Sequence, residues 1–175
     1  MKDIAIYGFG GFGREIACVI RAINGACPVW NIVGYFDDGV APGTCNKYGK
    51  VLGGLSVLND YEKELSVVMA IASPATLKKL TGNIRNPYVS FPNIIAPNVF
   101  FFDRDTVEMG IGNVVTFGGR ISCSFSAGNF NLVNGCTSFG HDVKIGNYNV
   151  LQPETRISGE CTIGDANFFG ARSMV

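Results

Sequence analysis

The chain holds a single histidine, His141, and a single tryptophan among 175 residues, and only 16% of its residues carry charge. One histidine per chain is too few for a zinc centre of three imidazoles, so no metal is expected. Lysine plus arginine number 14 and aspartate plus glutamate also 14, so no net charge remains. A broad electrostatic hold on nucleic acid or on an anionic membrane is therefore not expected. No apolar run reaches the ~18 residues that span a bilayer. The opening MKDIAIYGFG has no long apolar stretch after its lysine, so a signal peptide is not expected and a cytoplasmic location is. Paired CxxC spacing is absent as well. The six cysteines, Cys18, Cys27, Cys45, Cys123, Cys136 and Cys161, read as reduced and mostly buried rather than as a disulfide framework. What is present is apolar: 47% of the residues, the composition of a globular chain.

Two different patterns share the chain. In the first half, IAIY (4–7) reads as a short strand, and GFGGFG follows it. Ile16, Val19, Ile20 and Ile23 then fall at helical spacing, with Gly25 and Pro28 as stop signals. NIVGYFDD reads as a second strand ending in two acids, and LSVVMAIA (65–72) as a third, apolar enough to be buried on both faces. ATLKKLTGNI reads as a helix after it. Strands alternating with helices imply a parallel sheet.

The second half runs on a period of six. From Met109, every sixth residue is apolar: Met109, Val115, Ile121, Ala127, Val133, Phe139, Ile145, Leu151, Ile157, Ile163, Phe169 and Val175. A further period of eighteen links Gly110, Gly128, Gly146 and Gly164, and likewise Asn113, Asn131, Asn149 and Asn167. Neither a helix nor a flat strand makes such a period. A parallel β-helix does, with three short strands and eighteen residues per coil and one inward residue per hexapeptide. Glycine and asparagine are expected at its corners, where positive φ is needed, and equivalent asparagines can form a ladder. The boundary falls near FPNIIAPN, giving domains at 1–90 and 91–175. Val175 is an inward-type position with no cap in sight. The expectation is that the native protein continues or that the chain ends on an exposed apolar layer.

The residues suggest two sites. Gly8, Gly10 and Gly13 have GxGxxG spacing between a strand and a helix, where backbone N–H groups can approach a phosphate. Asp37 and Asp38 stand about where a dinucleotide site keeps its ribose acid, or else form a solvated turn. His141 lies two residues after inward Phe139, at an outward corner, with Asp142 beside it. It reads either as a solvated turn residue or as a general base, since an imidazole with a reference pKa near 6.5 can accept a proton at pH 7.

IYGFGGFGRE, then YFDDG, then hexapeptides containing HDVKIG together resemble a bacterial group of acetyltransferases. These are the nucleotide-sugar N-acetyltransferases and sialic-acid O-acetyltransferases of the left-handed β-helix class, and the resemblance covers essentially the whole chain. It implies a Rossmann-like α/β first domain that binds a sugar nucleotide, a left-handed β-helix, and a homotrimer with sites between neighbouring β-helices. It implies acetyl-CoA as co-substrate and, as acceptor, the amino (or less typically hydroxyl) group of a UDP- or dTDP-linked 4-amino sugar destined for a surface polysaccharide. By the same resemblance His141 is the base, Asp142 its orienting carboxylate and Gly159 a backbone oxyanion donor. Gly8, Gly10, Gly11, Phe12, Gly13, Asp37, Asp38 and Ser73 fall at substrate positions, and Val150, Gly159 and Ala171 at cofactor positions. Val150 departs from the pattern, since several relatives have a second histidine there. The alternatives are an NAD-dependent oxidoreductase using the glycine turn, and a non-catalytic trimeric sugar-nucleotide binder without a complete acetyl-CoA groove.

Overall fold

A computed structural model describes residues 1–175. The chain forms two compact units, residues 1–72 with 76–92, and residues 73–75 with 93–175.

The first unit is built on β1 (Lys2–Tyr7), α1 (Gly11–Ala26), β2 (Trp30–Phe36), β3 (Cys45–Asn46), β4 (Gly49–Gly53), α2 (Leu55–Asn59), β5 (Leu65–Met69), α3 (Pro74–Asn83) and β6 (Val89–Ser90). The strands lie in the order β3-β4-β2-β1-β5-β6, and every pair is parallel except the edge pair β3–β4. Ile4, Ala5 and Ile6 of central β1 are fully buried, as are Val67 and Val68 of β5 nearly so. This is the continuous apolar character of strands covered on both faces. The α1 stripe Ile16, Ala17, Val19 and Ile20 is buried, and α1 packs on β1 and β2. The three strands and two helices read from the sequence are therefore present. The short elements β3, β4, α2 and β6 carry no period long enough to be read.

The second unit is a parallel β-helix. Its first face stacks Ile94–Ile95, Val114–Val115, Leu132–Val133, Val150–Leu151 and Phe168–Phe169. The second face stacks Phe100–Phe101, Arg120–Ile121, Ser138–Phe139 and Arg156–Ile157. The third stacks Val107–Met109, Phe125–Ala127, Lys144–Ile145 and Thr162–Ile163. Val115, Ile121, Ala127, Val133, Phe139, Ile145, Leu151 and Ile157 form one apolar core with Val107, Phe125 and Val143. Burying each large member of that column contributes roughly 1.5–3 kcal/mol. The column begins earlier than the sequence period indicates, at Ile95 and Phe101.

The corners differ from expectation. The repeated glycines and asparagines are not the positive-φ residues. Left-handed φ recurs every six residues at Gly112, Gly118, Ser124, Phe130, Cys136, Asp142, Tyr148, Glu154, Glu160, Ala166 and Arg172. Such a conformation costs a non-glycine residue about 1–2 kcal/mol. A backbone bond to the coil below offsets it: Asp142 N–H donates to Cys123 O at 3.1 Å, and Glu160 N–H to His141 O at 2.8 Å. The repeated glycines instead permit close approach between coils. A side chain on Gly128 would put its Cβ 2.5 Å from Asn147 Oδ1.

The asparagine ladder is present. Asn131 is 1% exposed. Its Nδ2 donates to Asn113 Oδ1 and to Gly146 O, and its Oδ1 accepts from Asn149 N–H at 2.9 Å and Nδ2 at 3.0 Å. A second ladder runs the other way at the repeated Gly-Asn step: Asn129 N–H donates to Asn147 Oδ1, and Asn147 N–H to Asp165 Oδ1. Asn131→Ala strands a buried N–H and a buried amide. We expect a loss of about 3 kcal/mol or more, read as a fall in the urea midpoint at unchanged m.

The six cysteines are free thiols, as the sequence indicates. They are not mostly buried: Cys27, Cys45 and Cys136 are exposed and the other three half-buried. Cys136 occupies a corner, and corner side chains point out of the coil. No helix is long and apolar enough to cross a membrane.

Candidate active site

The glycine turn joins β1 to α1. Gly8 has φ +114°, and a Cβ there would lie 2.7 Å from Ala70 O. A Cβ on Gly13 would lie 1.9 Å from Gly8 O. These two glycines therefore let the helix sit against the strand. Gly10 differs, because nothing lies within 4 Å of a Cβ placed on it. Gly10 and Gly11 are exposed and Phe12 half-buried at the start of α1, where N–H groups point outward. Gly10 is the α1 N-cap and supplies no side-chain cap.

Asp37 and Asp38 are more than a solvated turn. Asp37 Oδ2 accepts the Phe9 N–H at 2.8 Å, and its Oδ1 accepts the Gly39 N–H at 2.8 Å. One carboxylate thus braces both the glycine turn and its own loop. Asp38 Oδ2 accepts the Tyr7 hydroxyl at 2.5 Å, and its Oδ1 accepts the Leu55 N–H at the start of α2. Burial, then the bond to Asp38, then the charges of Asp38 and Asp37 push the Tyr7 phenol far up. Tyr7 stays a neutral donor. Sequence reasoning missed Tyr7, because an aromatic residue at a strand end reads as core.

The second constellation lies on the corner between the second and third faces. Asp142 has φ 57°, and this left-handed bend turns its carboxylate back onto the preceding residue. His141 Nδ1 and Asp142 Oδ2 are 2.8 Å apart. The bend is Asp142's own. Gly140 serves a different need: a Cβ there would lie 2.4 Å from the Gly159 amide nitrogen. Gly159 sits one coil on, directly under the imidazole. A Cβ on it would lie 2.8 Å from His141 Nε2 and 3.0 Å from Cε1. The Gly159 N–H donates to no acceptor within the chain. Both side chains of the pair are 56% exposed, so Nε2 is open to a ligand.

Ser73 is exposed between β5 and α3. Ala171 is exposed on the corner between the first and second faces, a different edge from His141. Val150 lies in mid-strand on the first face and is 0% exposed. Its side chain is therefore part of the packed first face. A surface cavity of about 530 Å³ is lined by Arg120, Cys136, Glu154, Arg156, Arg172 and Met174. Arg172 there donates to Glu154 Oε2 at 2.5 Å, and that bond holds its guanidinium's pKa up.

Residues 3–84 match the family described as the PglD N-terminal domain. The whole chain superposes on the acetyltransferase domain of PglB from Neisseria gonorrhoeae with a TM-score of 0.83 at 18% identity, covering 100% of this chain and 91% of that one. It superposes on WeeI from Acinetobacter baumannii with a TM-score of 0.86 at 24% identity, covering 100% and 81%. PerB from Caulobacter crescentus, solved with CoA and GDP-perosamine, matches with a TM-score of 0.63 at 18% identity over 99% and 91%. No curated protein matches the sequence. The fold is that of these proteins, a Rossmann-like first domain followed by a left-handed parallel β-helix, as the sequence resemblance indicated.

Proposed function

We propose that the protein transfers the acetyl group of acetyl-CoA to an amino group of a nucleotide-linked sugar. The observation that carries the reading is the His141–Asp142 pair at 2.8 Å, set over Gly159, on a fold shared with proteins named as acetyltransferases. Asp142 accepts the Nδ1 proton and so leaves the Nε2 lone pair outward. Nε2 takes a proton from the acceptor nitrogen as that nitrogen attacks the thioester carbonyl carbon. The Gly159 N–H is aimed at the oxyanion that forms. Collapse breaks the carbon–sulfur bond, and the proton held on Nε2 passes to the departing thiolate. The products are the acetylated sugar and CoA.

Residues 1–90 are proposed to hold the sugar nucleotide, with its diphosphate at Gly10 to Gly13, and residues 91–175 to carry out transfer. Gly10 supports this, since no packing in the chain accounts for a missing side chain there. PerB was solved with a GDP-linked sugar, so GDP joins UDP and dTDP among the nucleotides to test. By likeness we further propose a cytoplasmic homotrimer acting in surface polysaccharide synthesis. An NAD-dependent reading has less support, because both Asp37 oxygens already accept backbone N–H groups.

Asp142→Asn tests the orienting role. Asparagine tolerates the left-handed corner, so the fold should survive. Turnover should drop about 10- to 100-fold, because the amide no longer enforces the tautomer or stabilises the imidazolium. Steady-state kinetics with acetyl-CoA and an amino-sugar nucleotide would read this, and undiminished turnover would remove Asp142 from the mechanism.

A further inference from the structure

The corner that carries His141 holds a second carboxylate that the mechanism above does not use. Glu160 stands eighteen residues after Asp142, at the same left-handed corner one coil on, with φ 63° against 57°. Successive coils are about 4.8 Å apart. The Glu160 N–H donates to the His141 carbonyl at 2.8 Å, so its backbone is tied to that of the histidine. The residue before it is Gly159, over whose Cα the Nε2 end of the imidazole lies. Glu160 is thus the residue next in the chain to the one that lies under Nε2, while the opposite ring nitrogen is taken by Asp142.

The charge pattern is unusual for such a stack. Like charges at matched positions on adjacent strands are destabilising, and nothing in the chain relieves this pair. Glu160 is exposed, and its carboxylate makes no hydrogen bond or ion pair. Lys144, two residues after Asp142, is not paired with it. Cys123, the matching residue one coil below His141, supplies no cation, and Ser124 matches Asp142 there. An outward corner with two carboxylates, one of them uncommitted, suits a cation brought by a ligand.

We propose that Glu160 selects an amine acceptor by holding its ammonium form beside His141 Nε2. This rests on the acetyl-transfer reading and deepens it by naming the residue that sets an amine acceptor apart from a hydroxyl one. An ammonium cannot attack, so the bound ammonium first gives one proton to solvent. The neutral amine then attacks, and His141 takes the second proton. A hydroxyl acceptor carries no charge and gains nothing from Glu160.

The test compares the wild-type protein with Glu160→Gln and Glu160→Asp. The ligands are GDP-, UDP- and dTDP-linked 4-amino sugars and their 4-hydroxy counterparts. Calorimetry gives binding, and initial rates with acetyl-CoA give KM and kcat. A surface glutamine leaves the fold intact. We expect the wild type to favour the amine by about tenfold or more, a preference lost in Glu160→Gln through KM and largely kept in Glu160→Asp. If the wild type acetylates an amine and Glu160→Gln keeps the same KM and the same preference, this inference is wrong and the transfer reading stands. If the wild type binds and acetylates none of the panel, the transfer reading fails and takes the inference with it.

Discussion

Replacing His141 with alanine should leave a folded protein that turns over acetyl-CoA at least about a hundredfold more slowly. The side chain is more than half exposed and makes one side-chain hydrogen bond, to Asp142. Its removal costs little packing, so the thermal midpoint should stay near that of the wild type. The chemical loss is large because no other imidazole exists in the chain to take over. Removing the base raises the barrier for proton transfer, whereas the sugar-nucleotide site proposed in the first domain is untouched. The fall should therefore appear in kcat rather than in KM for the sugar. Wild-type turnover in a folded His141→Ala protein would remove the histidine from the mechanism.

Gly159→Ala should be nearly as damaging, for a steric reason. The new methyl would sit 2.8 Å from Nε2 and about as close to two ring carbons. The imidazole must then swing away, and the bond to Asp142 stretches or breaks. Misplacing a catalytic group by about 1 Å can cost on the order of a hundredfold. The variant should remain folded, since the clash is with an exposed ring that can move rather than with backbone. A crystal structure of Gly159→Ala should show the ring displaced, and kinetics should show kcat reduced by at least tenfold. An unmoved ring with wild-type turnover would contradict the account of how this corner is built.

The fold was largely legible because its strongest signals are forced by packing. A β-helix turns one residue in six into its central column, and that column is apolar throughout from Val115 to Ile157. The first coil was not legible, because the period breaks there. Inward Phe101 and Met109 are eight residues apart, with a 3-10 turn at Arg104–Thr106 between them. The asparagine ladder shows the same insertion, since Asn93 meets Asn113 across twenty residues rather than eighteen.

The corners misled for a physical reason. Propensity places glycine or asparagine at positive φ, yet Phe130, Tyr148 and Arg172 adopt it here. Tertiary hydrogen bonding between coils outweighs local preference. The His141 corner was legible as a pair but not as a mechanism. Sequence spacing brings Asp142 next to His141, but only the left-handed φ at Asp142 makes the side chains meet. Glu160 could have been found by extending the eighteen-residue step from Asp142. Tyr7, by contrast, left no sequence signal, because its use depends on Asp38 reaching across from β2.

The most direct measurement is thiol release from acetyl-CoA by the purified protein, across GDP-, UDP-, dTDP- and CMP-linked sugars with amino and hydroxyl acceptors. The account predicts rapid release of CoA with at least one amino-sugar nucleotide, matched by one acetyl group on the sugar nitrogen. Release that equals the buffer rate with every sugar would contradict it.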